Sequence, residues 1–261
     1  MGQPITPRRV RLLGGEVDLA TPREVLDLID RRAAAAAGAT VIANHNAHSL
    51  FLLRRAPALA EFFAQADLVQ IDSTPLILWG RLLGLPMTRA MRSTYLDWRD
   101  EFWRLADLRR WRVFYLGGAP GVAKTAAERL ASRHPNVLIG EHHGYFDLAR
   151  RSRENRKVLA RIAAFDPDVL MVGLGMPLQE TWVLENRATL KRGVVLTVGA
   201  AFDYEAGVQR AAPRWTGRLG VEWLARLIGQ PRRLAGRYLV EPWSLLGPAL
   251  QDIGEAFSRA R

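Results

Sequence analysis

Asp72 is the residue whose sequence context best suits a general base in this 261-residue chain. It ends the apolar run "DLVQID", and no cation is adjacent to it in sequence. Partial burial raises the pKa of a carboxyl group, which suits the abstraction of a proton from a hydroxyl group. The alternative is that Asp72 caps the helix beginning in "TPLILW", although Ser73 or Thr74 could take that role.

A second polar pair follows another apolar run, in the stretch "GLGMPLQETW" at 173–182. The glycines and the proline are sufficient to form a turn here. Gln179 and Glu180 would then stand in the first turn of the next helix, which indicates that something polar is held at that point. Residue types alone leave open whether this is a ligand or a helix cap.

Further polar or glycine-rich segments follow the other apolar runs. In open parallel sheets, ligands bind beyond the carboxyl ends of the strands, so these segments are candidates for a site. The segment "YLGGAPGVAKTA" is either a phosphate cradle or a tight turn. It is neither a GxGxxG fingerprint nor a P-loop. The residues concerned are Asn44, His45, Asn46, Gly117, Gly118, Gly121, His142, His143 and Asp203.

The sequence gives no metal-ligand pattern and no catalytic triad. Cysteine is absent, which excludes thiolate ligands and nucleophiles and fits a reducing compartment. The histidines have no known ligand spacing. The pair Asp166 and Asp168 precedes an apolar run, which places it at the wrong end of a sheet. We therefore predict neither a metal nor a cofactor.

The elements that would position these residues alternate between strand and helix. The strands are continuous apolar runs, which is typical of a parallel sheet buried on both faces. We predict an α/β fold with a Rossmann-like, mostly parallel sheet covered by helices on both faces. Residues 1–207 would form the catalytic core, and residues 208–261 a C-terminal helical, membrane-associating appendage.

The positive charge is concentrated in that appendage. The chain has a formal net charge of +11, and residues 208–239 contain seven arginines against one acid, Glu222. Such a segment suits nucleic acid, an anionic membrane or a phosphorylated small molecule, and a solvated basic face is the plain alternative. Its aromatic residues, including Trp215 and Trp223, favour a membrane interface. No stretch is long and apolar enough to span a membrane.

Three segments resemble the WecG/TagA/CpsF glycosyltransferase family. They are "DPDVLMVGLGMPLQETWVLENR", the glycine loop with the strand after it, and "VVLTVGAAFDYEAG" with the arginine-rich segment that follows. The resemblance extends from about residue 10 to 240. It implies an inverting, metal-independent transfer of a sugar from a UDP-sugar to a polyprenyl-diphosphate-linked saccharide, in bacterial cell-surface or exopolysaccharide synthesis. The implied location is the cytoplasm, peripheral on the inner face of the plasma membrane.

The resemblance also assigns site residues. Asp72 matches the catalytic base, and Asn46, Arg89 and Gln179 match further site residues, while Asn44 falls where the family usually has threonine. The substrate-binding residues expected are these four, Gly117 and Gly118 of the glycine loop, and the arginines that could stabilise the leaving diphosphate or hold the lipid diphosphate: Arg226, Arg233 and Arg237. An anionic membrane surface is the expected further partner, nucleic acid is not expected, and self-association is left open. The residue-based alternatives are a nucleotide- or dinucleotide-binding oxidoreductase and a non-catalytic basic membrane-binding module.

This chain departs from the family pattern at two places beside the expected base. Asp72 is followed by Ser73 where the family usually has glycine. Residues 92–94 read Arg-Ser-Thr where the family usually has Gly-x-Asp. These departures leave the donor sugar open between N-acetylmannosamine, glucose and similar sugars.

Overall fold

The computed structural model describes residues 7–35, 38–212, 216, 221–229 and 231–259. Its centre is a six-stranded parallel sheet with the order β4-β3-β8-β7-β5-β6. The strands are β3 (Thr40–His45), β4 (Leu68–Ile71), β5 (Arg112–Gly117), β6 (Leu138–His142), β7 (Val169–Gly173) and β8 (Val194–Thr197). A separate antiparallel hairpin precedes them, formed by β1 (Arg9–Leu12) and β2 (Gly15–Asp18).

Helices cover both faces of the sheet, as the continuous apolar strands predicted. Alternate strand residues point to opposite faces, so Phe114 joins one apolar cluster and Tyr115 the other. The core helices are α1 (Pro22–Ala33), α2 (Ala47–Leu53), α3 (Pro57–Gln65), α4 (Thr74–Leu82), α5 (Tyr95–Arg109), α6 (Val122–Arg133), α7 (Arg153–Phe165), α8 (Leu178–Asn186) and α9 (Ala201–Glu205).

Local signals explain several helix starts. Thr21 caps α1 in a capping box with Glu24, and Pro22 follows at the first helical position. Asn46 caps α2 and accepts hydrogen bonds from the N–H groups of His48 and Ser49. Ser73 stands at the N-cap of α4, one of the two residues expected to take that position.

The C-terminal segment packs against the core around one buried carboxylate. It comprises α10 (Glu222–Gly229), α11 (Pro231–Ala235), a π-helical turn (Gly236–Val240), a 3₁₀ turn (Glu241–Leu245) and α12 (Leu246–Arg259). Asp252 of α12 accepts hydrogen bonds from the Leu13 N–H at 2.8 Å and from Trp79 Nε1 at 2.9 Å. Three distant parts of the chain therefore meet at one point: the turn of the β1–β2 hairpin, α4 and α12.

Candidate active site

Asp72 and Asn46 follow the ends of two adjacent strands. His45 and Ile71 are register partners in β3 and β4, and the Asp72 N–H donates to the His45 carbonyl at 2.8 Å. The two candidate residues therefore leave the sheet next to each other at its carboxyl edge. Asp72 is half-buried. The parallel register thus places two of the candidate residues from strand ends side by side.

A cavity of about 390 Å³ opens at this edge, with the C-terminal segment as its far wall. Its volume lies within the ordinary range for small-molecule sites. The residues that line its polar part are Asn46, His48, Asp72, Ser73, Arg92, Glu222 and Arg237. Most of the remaining lining is apolar or aromatic.

Three polar contacts hold the C-terminal segment over the cavity. Arg92 Nη2 donates to Glu222 Oε2 of α10 at 2.5 Å. His48 Nδ1 lies 2.6 Å from Glu241 Oε2. Arg237 Nη2 donates to Asn46 Oδ1 at 3.4 Å. The core side of the cavity and its far wall are therefore joined by contacts between residues far apart in the chain.

Arg237 differs from Arg92 in its charge balance. Arg92 faces the carboxylates of Glu222 and Asp97, at 2.5 and 3.6 Å. Arg237 also lines the cavity, but it donates to an amide oxygen and forms no ion pair with a carboxylate among the described residues. Its charge is therefore the one most readily offered to an anionic ligand.

The carboxyl ends of β5 and β7 meet at a topological switch point of the sheet, called the crevice below. The helix after β5 packs on one face of the sheet, and the helix after β7 packs on the other. Such a switch point is where doubly wound sheets bind nucleotides. Gly117 faces Gly173 across it, and an added Cβ on Gly117 would come within 2.3 Å of the Gly173 carbonyl oxygen. Gly118 adopts a φ of 69°, in the left-handed region that favours glycine.

Gln179 and Glu180 form a buried pair beside this crevice. Gln179 Nε2 donates to Glu180 Oε1 at 2.7 Å, and Gln179 Oε1 accepts from the Gly199 N–H at 3.2 Å. Glu180 Oε2 is buried and has no hydrogen-bond partner. Burial raises the pKa of Glu180 to about 7. In this structure, the amide that the resemblance assigns to substrate therefore holds the backbone after β8.

Two other residues from the end of β3 have structural contacts. Asn44 Nδ2 donates to the Thr197 carbonyl of β8 at 2.8 Å. His45 is fully buried, stacks on Phe63 with ring centroids 3.7 Å apart, and has a pKa lowered to about 3 by burial. His45 is thus a neutral core residue, while Asn44 joins neighbouring strand ends.

The structure brings Asp72, Asn46 and Arg237 into one cavity and places Gly117, Gly118 and Gln179 along the crevice. Arg89 is exposed in the 3₁₀ turn Arg89–Met91, and among the described lining residues Arg92 stands in the cavity instead. Arg92 reaches it because residue 92 forms a parallel bridge with Ile71, at the end of β4. The side chains of Arg226 and Arg233, and Trp215, lie outside the described residues.

Sequence reasoning did not select His48, Arg92 or Glu241 as site residues. His48 was noted only for metal spacing, and Arg92 only as a departure from the family pattern. The departure was the usable signal, since an arginine stands where the resemblance leads us to expect a glycine, and residue 92 pairs with the end of β4. Nothing local to residue 241 indicates that it reaches α2.

Two absences among the described residues bear on the type of site. The described residues contain no group of three or more histidine, aspartate or glutamate side chains that could hold a metal ion. None of their helices is both long and apolar enough to cross a membrane.

Comparison with known proteins identifies the class. A family model described as "Glycosyl transferase WecG/TagA/CpsF family" matches residues 10–256, so the protein is a glycosyltransferase. The chain belongs to the WecG/TagA/CpsF family. This decides for the transferase among the three classes that the residues alone left open.

Curated relatives include two proteins of Staphylococcus aureus, from strains MW2 and COL. Each is 28% identical to this chain over 236 residues, which cover 87% of both chains. Both are named N-acetylglucosaminyldiphosphoundecaprenol N-acetyl-beta-D-mannosaminyltransferase.

Proposed function

We propose that the protein is an inverting, metal-independent glycosyltransferase that moves a sugar from a UDP-sugar to a polyprenyl-diphosphate-linked saccharide. Asp72 removes the proton from the acceptor hydroxyl group. The oxygen of that hydroxyl group attacks and bonds to the anomeric carbon of the donor sugar. The bond from that carbon to the phosphate oxygen breaks, and UDP leaves with the bonding electrons. The observation that carries this proposal is the half-buried Asp72 in a cavity also lined by Asn46 and Arg237.

The negative charge that develops on the leaving diphosphate needs positive charge or backbone dipoles near it. The crevice at Gly117 and Gly118 suits the nucleotide, because it lies at the switch point of the sheet and leads through glycines with positive φ to the N-terminus of α6. Arg237 suits a second diphosphate, that of the acceptor, since arginine binds phosphate oxygens in a bidentate manner. Arg226 and Arg233 are proposed to assist it.

The names of the relatives support the substrate classes. They state an N-acetyl-β-D-mannosaminyl group transferred to N-acetylglucosaminyl-diphosphoundecaprenol. Of the donors left open by the sequence, UDP-N-acetylmannosamine is therefore the first expectation and UDP-glucose the second. A β product from an α-linked nucleotide sugar corresponds to inversion. The pathway is proposed to be the synthesis of a bacterial cell-surface polymer.

We place the protein on the inner face of the plasma membrane. Large apolar side chains of the C-terminal segment are exposed, and the whole chain has a formal net charge of +11. Exposed apolar residues combined with basic charge bind anionic bilayers. The exposed apolar residues include Trp223, Ile228, Leu239, Val240, Trp243, Leu246, Leu250 and Phe257.

The test is acceptor-dependent UDP release. The full chain is offered UDP-N-acetylmannosamine or UDP-glucose with short-chain polyprenyl-diphosphate-linked N-acetylglucosamine or glucose, with and without chelator. Release should survive chelation and fall by at least roughly a hundredfold in Asp72→Asn, the range expected for loss of a general base. Asp100→Asn is the matched control, because the Asp100 side chain is 88% exposed on α5.

Two results would contradict the proposal. Unchanged activity in Asp72→Asn would remove the base from the mechanism. Loss of release on chelation, restored by a divalent cation, would show that the transfer requires a metal.

A further inference from the structure

The cavity at Asp72 has a polar part and an apolar part, and the apolar part has no role in the chemistry described so far. Leu13, Leu76 and Leu245 line it and belong to one apolar cluster of the core. Trp79 and Ala249 also line it and pack against the same cluster. The apolar part is therefore one continuous wall.

This wall is held rigidly by the carboxylate of Asp252. Its hydrogen bonds to the Leu13 N–H and to Trp79 Nε1 join the hairpin turn and α4 to α12. Asp252 is buried and lies one turn beyond Ala249. A wall with such an anchor is preformed, which lowers the entropic cost of binding a flexible chain.

The wall also continues to the protein surface. Leu246 lines the cavity, yet it is 55% exposed. Leu250 follows one turn later on α12, is 70% exposed and is not among the described residues that line the cavity. An apolar path therefore leads from the neighbourhood of Asp72 past Leu246 to the exposed side of the C-terminal segment.

We propose that the apolar wall binds the first isoprene units of the acceptor lipid, the ones next to its diphosphate. A ligand with its sugar hydroxyl at Asp72 and its diphosphate at Arg237 would extend its hydrocarbon end along Leu13, Trp79 and Leu246. This inference rests on the proposed function for the identity of the lipid. The protein would then bind the hydrocarbon chain of the acceptor directly, in addition to binding the membrane in which the lipid lies.

The direct test is a binding measurement that does not depend on turnover. Dimethylallyl, geranyl and farnesyl diphosphate carry one, two and three isoprene units, and they are titrated by calorimetry into the full chain below their micelle concentrations. Affinity should rise by roughly tenfold or more from the first to the third, since burial of even two methylene groups is worth about that factor. Inorganic pyrophosphate should bind no better than dimethylallyl diphosphate.

Three variants localise the effect. Leu246→Ser removes apolar surface at the cavity rim, and Ala249→Phe fills the apolar part without making it polar. Both should flatten the dependence on chain length. Leu250→Ser removes a similar apolar side chain one turn away and should leave the dependence intact. If Ala249→Phe fails to fold, as judged by circular dichroism, Leu246→Ser still decides the matter.

Several outcomes would overturn the proposal. The first is equal affinity for the three diphosphates. The second is a loss of chain-length dependence in Leu250→Ser as large as that in Leu246→Ser. The third is dodecyl phosphate binding as tightly as farnesyl diphosphate. The last would mean that a bilayer acyl chain occupies the wall. Asp72-dependent UDP release with no chain-length dependence would leave the proposed function standing and refute this inference alone. Chain-length-dependent binding without any sugar transfer would support this inference and refute the proposed function.

Discussion

Glu180 allows a stability prediction whose size follows from the structure. The side chain is fully buried, its Oε2 has no hydrogen-bond partner, and burial raises its pKa from 4.5 to about 7. The folded protein therefore keeps this carboxyl protonated at pH values where the unfolded chain has released the proton. A folded-state pKa above the unfolded one lowers the free energy of unfolding as the pH rises.

The pH window lies between the two pKa values. Below about pH 4.5 both states are protonated, and the group has no effect on the pH dependence. Between 4.5 and about 7 the free energy of unfolding falls, and above 7 the loss is complete. A shift of about 2.5 units corresponds to about 3 kcal/mol in total, and most of it falls between pH 5 and pH 8.

The variant Glu180→Gln removes this titration while keeping the shape of the side chain. Its carbonyl oxygen still accepts from Gln179 Nε2, and its amide replaces the O–H of the protonated acid. Urea unfolding at pH 5 and pH 8 should therefore show about 2 kcal/mol less loss of stability in the variant than in the original chain.

Glu185→Gln is the control, because Glu185 is exposed on the same helix, α8. It should keep the pH dependence of the original chain. If Glu180→Gln and Glu185→Gln lose the same stability between the two pH values, the buried carboxyl does not titrate as the structure implies, and the reasoning is refuted.

Three further predictions concern the site and its frame. Arg237→Gln should raise the KM for the acceptor by about ten- to a hundredfold, with a smaller change in the KM for the donor, since a charge-assisted hydrogen bond is lost. Arg232→Gln is the control and should leave the KM for the acceptor unchanged, because Arg232 is exposed. Equal effects of Arg237→Gln on both KM values would contradict the assignment. Gly117→Ala should unfold at lower urea than Gly121→Ala, because both sites have positive φ and only Gly117 faces a backbone carbonyl at 2.3 Å; equal midpoints would disprove the clash. Asp252→Ala should cost about 2–5 kcal/mol in urea unfolding by leaving the Leu13 N–H and Trp79 Nε1 unpaired, and a loss below about 1 kcal/mol would show that α12 is held by other contacts.

The sequence predicted the sheet because its signals are local and strong. The apolar runs around Phe114 and Val172 are buried on both faces, so hydrophobicity alone identifies them as parallel strands. The start of α1 at Thr21 and Pro22 is predictable from the sequence for a similar reason, since an N-cap side chain bonds to residues in the first turn of its own helix. Asp203 was expected in a polar segment after a strand, and the structure places it in α9, a helix of five residues.

The site could be predicted only in part. Asp72 and Asn46 were identified because each follows a strand directly, and parallel register brings them together. His48 and Glu241 lie 193 residues apart, and no local pattern links them. The burial of Gln179 could not be predicted either, because Gln179 contacts Gly199, which lies 20 residues later in the chain, after β8.

The hydrogen bond between Leu13 and Asp252 has a consequence for synthesis. Its two residues are separated by 239 positions, so a ribosome has made the whole α/β sheet before the second partner exists. Domains generally fold from the N-terminal side during translation. We therefore expect the nascent chain to form the crevice between β5 and β7 first, where the nucleotide is proposed to bind. The apolar wall of the cavity should remain incomplete until α12 has emerged. A translationally stalled chain that ends before α12 should then be a folded nucleotide binder that transfers no sugar.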